Sequence, residues 1–172
     1  MEKQPLFLTI LLAGLAVILV FWLGLQNIPY LGVLTIEAKL GQSTPLISSL
    51  GPEVRTKLAG DYQAVLESPV YFEFRAMPWF NQAQILVVYE TVGGHELLGL
   101  GRQTGPGFNY ELQTATAVLN SDGQTKKAFF VFKLAEFYQK KNIYRVLLDT
   151  NLHQSQSGSE LRIKEIKVLL AT

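Results

Sequence analysis

No cysteine occurs among the 172 residues of this chain. Disulfide bonds, thiolate metal sites and thiol nucleophiles are therefore excluded. Histidine is almost as scarce, because His95 and His153 are the only two and neither lies in an HExxH or H-x-H pattern. A zinc site needs several such ligands within reach of one another. The sequence predicts no metal site and no cofactor, and both histidines are interpreted as surface residues.

The local patterns of common enzymes are also missing. No serine lies in a GxSxG nucleophile elbow, and the acidic residues show no spacing that selects an acid–base pair. The glycine-rich stretch GLGRQTGPG, residues 99–107, is followed by Phe108, Asn109 and Tyr110 instead of the Lys and Ser or Thr that a phosphate loop requires. We interpret it as a long flexible hairpin or a rim loop, and we predict no catalytic residue and no enzymatic activity.

An excess of charge of one sign is the third absence. The chain has 15 Lys and Arg against 14 Asp and Glu, a formal net charge of +1. No overall field draws such a protein to nucleic acid, so a partner must be recognised locally. Two lysine pairs, at 126–127 and 140–141, are interpreted as solvated surface, with binding of an anionic envelope polymer as the functional alternative.

A long uncharged run is present near the N-terminus. Residues 6–25, LFLTILLAGLAVILVFWLGL, contain no charged side chain, and a helix of about 20 residues spans about 30 Å, the thickness of a bilayer's hydrocarbon core. Trp22 and Tyr30 mark the far end, where aromatic rings favour the membrane interface. A cleaved signal peptide is the competing reading, but its apolar region is shorter and ends in small residues, whereas LGLQNIPY follows here.

We therefore predict two parts: a short tail and transmembrane anchor helix in residues 1–30, and a separate domain in residues 31–172. Lys3 and the terminal amine precede the run, and the next basic residue after it is Lys39. This small bias places the N-terminus inside. The prediction is a single-pass protein of the cytoplasmic membrane that contacts lipid through residues 6–25 and carries an extracytoplasmic C-terminal domain.

The domain lacks long apolar periodicity of the helical kind and instead has short segments rich in β-branched and aromatic residues. We predict an antiparallel, jelly-roll-like β-sandwich, with one short helix at 134–142. In YFEFRA, Phe72 and Phe74 alternate with Tyr71 and Glu73, as in a strand with one wet face. The predicted strands are 33–40, 62–66, 70–75, 84–91, 96–100, 108–113, 116–119, 128–134, 143–150 and 160–170.

Several segments resemble galactose-binding-like domains and carbohydrate-binding-module β-sandwiches: VYFEFR with FNQAQILVVYE, KAFFVFKLAEFYQKKNIYRVLLDTN, and LRIKEIKVLL. The similarity covers residues 62–171. It implies a sugar, a peptide or a structural cation bound by loops at one end or by aromatic residues on one face. It assigns no binding role to a numbered residue.

The stretch MPWFN, residues 77–81, places aromatic residues where turns usually have Gly, Asn or Asp. Trp79 with Asn81 would suit a sugar platform, since sugar C–H groups pack on aromatic rings. A hydrophobic plug is the favoured interpretation, in which Phe80 is core and Trp79 packs on the domain. The full set of candidate ligand-binding residues is Trp79, Asn81, Arg102, Phe108 and Tyr110.

Two functions remain open from these residues. The first is a membrane-anchored binding module for an envelope glycan or similar ligand. The second is a non-catalytic structural or accessory subunit of a membrane protein complex, with an envelope protein as partner.

Overall fold

A computed structural model describes residues 6–27, 32–94, 96–121, 124–152 and 160–172. The described residues form one α-helix, two single-turn 3₁₀ helices and twelve β-strands. His95 and His153 lie outside the described residues, so their predicted surface positions stay predictions. The chain divides into two compact units, Met1–Val33 and Leu34–Thr172.

The first unit contains helix α1, Leu6–Asn27, with 22 residues. Its leucine and alanine content favours a helix, and no proline interrupts it. The described side chains, from Ile10 to Val20 and Trp22, are exposed. In the part of the chain that the structure describes, no helix is both long and apolar enough to cross a membrane. The membrane anchor therefore stays a prediction.

The second unit is a two-sheet antiparallel β-sandwich, which confirms the predicted mostly-β sandwich class. Its strands are β1 Val33–Glu37, β2 Thr56–Ala59, β3 Tyr62–Val65, β4 Val70–Arg75, β5 Gln82–Val92, β6 Leu97–Gln103, β7 Tyr110–Gln113, β8 Ala117–Asn120, β9 Thr125–Lys133, β10 Gln139–Lys140, β11 Ile143–Thr150 and β12 Glu160–Ala171. The jelly-roll connectivity stays a prediction.

One sheet has seven strands in the order β2-β3-β12-β5-β9-β8, with β1 also paired to β12. The other has five strands around β11. Strand β4 pairs with residues 143–148 on one side of β11. Strands β10 and β6 therefore share the other side of β11, where β10 pairs with residues 143 and 144 and β6 with residues 146–150. Strand β7 continues this sheet beyond β6.

The core lies between the sheets and is rich in aromatic residues. Phe72 and Phe74 of β4 are buried, whereas Tyr71 and Glu73 are not, as the alternation in YFEFRA predicts. The Phe74 ring stacks on Tyr144 at a centroid distance of 5.4 Å. Phe137 in turn contacts both Phe74 and Phe132 of β9 in the other sheet, with ring centroids 6.3 and 5.5 Å away. Each such ring contributes about 1.5–3 kcal/mol through burial, so these contacts hold the two sheets together.

Strand β12 explains the imperfect alternation of RIKEIKVLL. Ile163 and Ile166 are both buried although three positions separate them. The register with β5 shifts between Ile163 and Glu165, and such a bulge places one extra residue in the strand and resets which face follows. The apolar side chains on both sides of the bulge therefore reach the same core.

The predicted helix at 134–142 is wrong. Leu134–Glu136 forms a 3₁₀ turn, and β10 follows. Lys141 and Asn142 then adopt left-handed φ angles of 56° and 61°, the conformation that a two-residue hairpin turn requires. Leu134 and Phe137 are both buried, so the core favours a tight turn over a continuing helix with most of its surface in water.

One further prediction needs correction and another is confirmed in part. Between Gly41 and Gly60 the prolines and serines predict a loop that crosses one end of the sandwich, but the segment contains β2, which pairs along its whole length with β3. The glycine-rich stretch at 99–107 is predicted to be a hairpin or rim loop, and it forms part of the hairpin of β6 and β7, with its first half in β6. Gly99 explains why, because a Cβ there would lie 2.6 Å from the Gln113 carbonyl oxygen. The glycine therefore lets β7 approach closely.

Candidate functional site

The five-stranded sheet has one face towards the core and one face, called here the outer face, directed away from it. Side chains alternate along a strand and neighbouring residues in register share a face. Since Phe72 and Phe74 point into the core, Tyr71, Glu73 and Arg75 of β4 belong to the outer face. The register of β11, β10, β6 and β7 then assigns the rest of the outer face.

The first row across the outer face joins Arg75, Ile143 and Lys140. Ile143 of β11 is in register with Arg75 on one side and with Lys140 of β10 on the other. Neighbouring strands are about 4.8 Å apart, so the two basic residues have backbones about 10 Å apart. Two cations therefore flank one apolar side chain.

The second row contains an ion pair. Arg145 of β11 lies in register with Glu73, and its Nε donates to Glu73 Oε1 at 2.8 Å. The guanidinium carbon also lies 4.6 Å from the centre of the Tyr71 ring, and the group interacts electrostatically with the Tyr110 hydroxyl. Burial raises the pKa of Tyr110, and the Arg145 contact offsets part of that rise. Arg145 is thus held by three outer-face side chains.

The third row is apolar and centres on Gly101. Leu147 of β11 and Leu112 of β7 are the neighbours of Gly101 in register. A Cβ on Gly101 would lie 3.1 Å from Leu112 Cδ2 and 3.2 Å from Leu147 Cβ. The two leucines therefore close over the glycine, and this part of the outer face offers no room for a ligand.

A cavity opens between the first two rows. Its volume is about 320 Å³, and ligand sites usually have about 300–1,000 Å³. We call it the large cavity. It is lined by Glu73, Gln103, Tyr138, Lys140, Lys141, Ile143 and Arg145.

A small cavity of about 190 Å³ lies beside it, lined by residues 43–48 together with Glu73, Phe74, Arg75 and Ile143. Glu73 and Ile143 border both cavities. The loop side carries the hydroxyl groups of Ser43, Thr44 and Ser48. Together the cavities form a groove across the outer face.

The groove carries a positive charge. Glu73 is neutralised by Arg145, whereas Arg75, Lys140 and Lys141 form no ion pair with any residue that the structure describes. All three are exposed. The groove therefore favours a negatively charged or hydroxyl-rich ligand.

The candidate residues from the sequence lie at one end of the sandwich, where β4 and β6 end and β7 begins. Backbone hydrogen bonds connect the segments at this end: Ala76 donates to Asn142, Leu134 to Asn81, and Tyr138 to Gln103. Topology therefore brings together segments that are far apart in sequence.

Tyr110 and Phe108 are the candidates closest to the groove. Tyr110 interacts with Arg145. The centroids of the Phe108 and Tyr110 rings lie 6.1 Å apart, and Phe108 is 75% exposed. Neither lines the two cavities. They border the groove on the β7 side.

Arg102 lines neither cavity of the groove, and its ligand-binding role stays a prediction. It is in register with the buried Val146, so it points inward. Its guanidinium bonds Glu111 and Glu136, each at 2.6 Å. These ion pairs join β6, β7 and the 3₁₀ turn, so Arg102 has a structural contact set.

Trp79 and Asn81 lie in the turn between β4 and β5. Phe80 is only 3% exposed, which confirms the core prediction, whereas Trp79 is 47% exposed. The two rings lie 6.0 Å apart. The Asn81 backbone bonds Ala171 and Leu134, with its side chain exposed. Neither Trp79 nor Asn81 lines the groove.

Sequence reasoning missed the residues that line the large cavity. Glu73 and Arg145 are 72 positions apart, and nothing local in the sequence shows that they are paired. Lys140 and Lys141 stand out as a pair in the sequence, but the predicted helix placed them on a helix instead of at a hairpin turn. Interpretation of KKN as a turn would have placed these lysines beside β11.

No group of three or more His, Asp or Glu side chains suited to a metal is present in the described residues. No protein-family model matches the chain, and a search of curated proteins finds no match. The galactose-binding-like family therefore stays a prediction, and the two-sheet sandwich it implies is the part that the fold supports.

Proposed function

We propose that this protein is a binding module for an envelope glycan or a chemically similar ligand, displayed on the outside of the cytoplasmic membrane by its N-terminal helix. The groove carries this proposal. It combines a cavity of ligand size with hydrogen-bonding groups and the ring of Tyr138, which is 40% exposed. Sugars bind such sites because C–H groups pack on a ring while hydroxyls meet polar side chains.

The proposed location rests on the N-terminal sequence. Its uncharged run at residues 6–25 contains 20 residues, about the number that spans a bilayer as a helix. Lys3 lies before the run and the next basic residue after it is Lys39, and this bias favours a position of the larger domain on the far side of the membrane. Envelope polymers are the ligands that such a domain meets.

The glycan proposal is tested with the full chain in mild detergent on a broad glycan array. We expect binding to at least one glycan class and its loss in Tyr138→Ala. Leu58→Ala is the matched control, because it also truncates an exposed large side chain but lies on β2, away from the groove. Absence of binding across the array, or equal loss in both variants, would contradict the proposal.

A second candidate function, an accessory subunit of a membrane complex, is favoured by strand β8. All four of its residues are exposed, including Val118 and Leu119, and it ends the seven-stranded sheet. An open edge can accept a strand of a partner. Native mass measurement of the detergent-solubilised chain from its source membrane tests this: a stoichiometric second protein supports it, and a bare monomer contradicts it.

A further inference from the structure

The unpaired cations at the groove point to one class of ligand. Arg75 and Lys140 flank Ile143 on the outer face, and Lys141 follows Lys140 in the hairpin turn. None of the three has an acidic partner among the described residues. Elsewhere in the sandwich, Lys126, Lys164 and Lys167 are paired with carboxylates, whereas Lys39, Lys57, Lys127 and Lys133 have no ion pair with a described residue. The groove differs because three unpaired cations border it together, which makes it a local positive site in a nearly neutral protein.

Glu73, the one carboxylate among the described residues that line the groove, does not cancel this charge. Both Nε and Nη2 of Arg145 donate to Glu73 Oε1, which leaves Oε2 free of Arg145. A carboxylate oxygen in this position accepts hydrogen bonds from hydroxyl groups. Glu73 therefore favours a ligand that carries hydroxyls as well as negative charge.

The sheet edge beside the groove argues against an added peptide strand. Residues 47 and 51 bridge to Phe74 and Tyr71, and Arg75 donates its backbone N–H to the Leu46 carbonyl. The free side of β4 is thus already occupied by the chain itself. Strand addition, a common way of holding an extended peptide, is blocked at this place. Recognition must use side chains on the face.

We propose that the groove binds an acidic glycan, with Lys140, Lys141 and Arg75 neutralising its carboxylate or sulfate groups and Tyr138 packing against a sugar ring. This inference rests on the proposed glycan-binding function and specifies its ligand class. The two adjoining cavities share Glu73 and Ile143, so a ligand of more than one sugar unit can occupy both.

The test compares two soluble polymers of matched length, polygalacturonate and neutral dextran, by calorimetric titration of the full chain in a non-ionic detergent. We expect binding of polygalacturonate that is at least tenfold tighter than that of dextran. We also expect added salt to weaken it, because screening reduces attraction between exposed charges.

The matched variants are Lys140→Gln with Lys141→Asn, and as control Lys39→Gln with Lys57→Gln. Both pairs remove two exposed positive charges, but only the first lies at the groove. Asparagine is chosen at 141 because it tolerates the left-handed φ of 56° found there. We expect the groove variant to lose at least tenfold in affinity for polygalacturonate and the control to lose less than twofold, with unchanged unfolding temperatures.

Other outcomes separate the two proposals. Equal binding of dextran and polygalacturonate would overturn the acidic ligand and leave the glycan module standing. Equal loss in both double variants would show attraction by net charge and overturn the groove. Poly-glutamate binding of the same strength, lost in the same variant, would assign the groove to an acidic peptide and overturn the glycan. Absence of binding to every polymer tested here and to the glycan array would overturn both.

Discussion

Arg145 on β11 and Glu73 on β4 lie directly opposite each other, with Arg145 Nε 2.8 Å from Glu73 Oε1, although 72 positions separate them in the chain. Cross-strand pairs of opposite charge stabilise a sheet by about 0.2–1 kcal/mol. Here the pair also fixes one wall of the groove, since Arg145 is held in addition by Tyr71 and Tyr110.

The first prediction concerns this ion pair. Both side chains are about one-third exposed, so solvent screening limits its worth. We expect a double-mutant cycle with Glu73→Gln and Arg145→Gln to give a coupling energy of about 0.5–1 kcal/mol, measured by denaturant unfolding of the full chain. A coupling near zero would mean that the pair only positions Arg145 and adds no stability.

The second prediction compares the neighbours in the β4–β5 turn. Phe80→Ala removes a buried ring, so we expect a loss of about 3–5 kcal/mol in the free energy of unfolding. Trp79→Ala removes a half-exposed ring of greater size, and we expect a loss of less than about 2 kcal/mol. Denaturant titration of the two variants decides between them. Equal losses would show that Trp79, and not only Phe80, closes the core.

A fluorescence measurement checks the same turn without changing it. In the variant Trp22→Phe of the full chain, Trp79 is the single remaining tryptophan. We expect a partly red-shifted emission and ready quenching by a soluble quencher, because 47% of Trp79 is exposed. Protection from the quencher would indicate that a partner or the detergent covers the ring.

Much of the sandwich could be predicted from alternation, because strands such as β4 and β11 each bury every second residue. The predicted exposure pattern of Tyr71 to Ala76 is confirmed for this reason. Strand β10 has only two residues, too few for a pattern, and β2 buries none of its four residues, so neither strand was predicted. The helix at 134–142 failed since local propensity says nothing about the burial of Leu134 and Phe137.

The binding groove could be predicted only in part. The aromatic residues Phe108 and Tyr110 attract notice in a sequence, and they do lie at its border. Its central contacts depend instead on register, which aligns Arg145 with Glu73 and Lys140 with Ile143. Arg102 is the converse case: the sequence shows a basic residue beside glycines, and only the fold shows its ion pairs with Glu111 and Glu136.

The third prediction concerns acid stability. The Lys164 hydrogen bond, and further that of Thr125, lower the pKa of Glu90 below 4.5. The folded state therefore binds this proton less readily than the unfolded state, so the stabilisation is present at neutral pH and is lost as the pH falls below about 4.5. We expect Glu90→Gln to lower the free energy of unfolding by less than about 1 kcal/mol at pH 7. At pH 3 we expect a smaller difference between the variant and the parent protein. Thermal unfolding at both pH values measures this, and a difference that grows on acidification would contradict it.

The opposite sign applies to Asp149. Burial raises the pKa of this carboxyl, so ionisation costs more in the folded than in the unfolded protein, and the cost appears as the pH rises through the ordinary range of an aspartate. We expect Asp149→Asn to raise the unfolding temperature slightly at pH 7 and to have no such effect at pH 3. A lower unfolding temperature at pH 7 would mean that the carboxylate has a favourable partner.

The last prediction concerns the side of the membrane on which the domain lies, and the absence of cysteine makes it simple to test. Single variants Lys57→Cys, at an exposed position of β2, and Lys3→Cys each introduce one thiol. In intact cells a membrane-impermeant maleimide should label the thiol at position 57 but not the one at position 3, because the anchor would leave the short tail inside. Lysis should expose both to the reagent, which controls for the reactivity of each thiol. Labelling of position 3 alone would reverse the proposed orientation, and with it the argument that the groove meets envelope polymers.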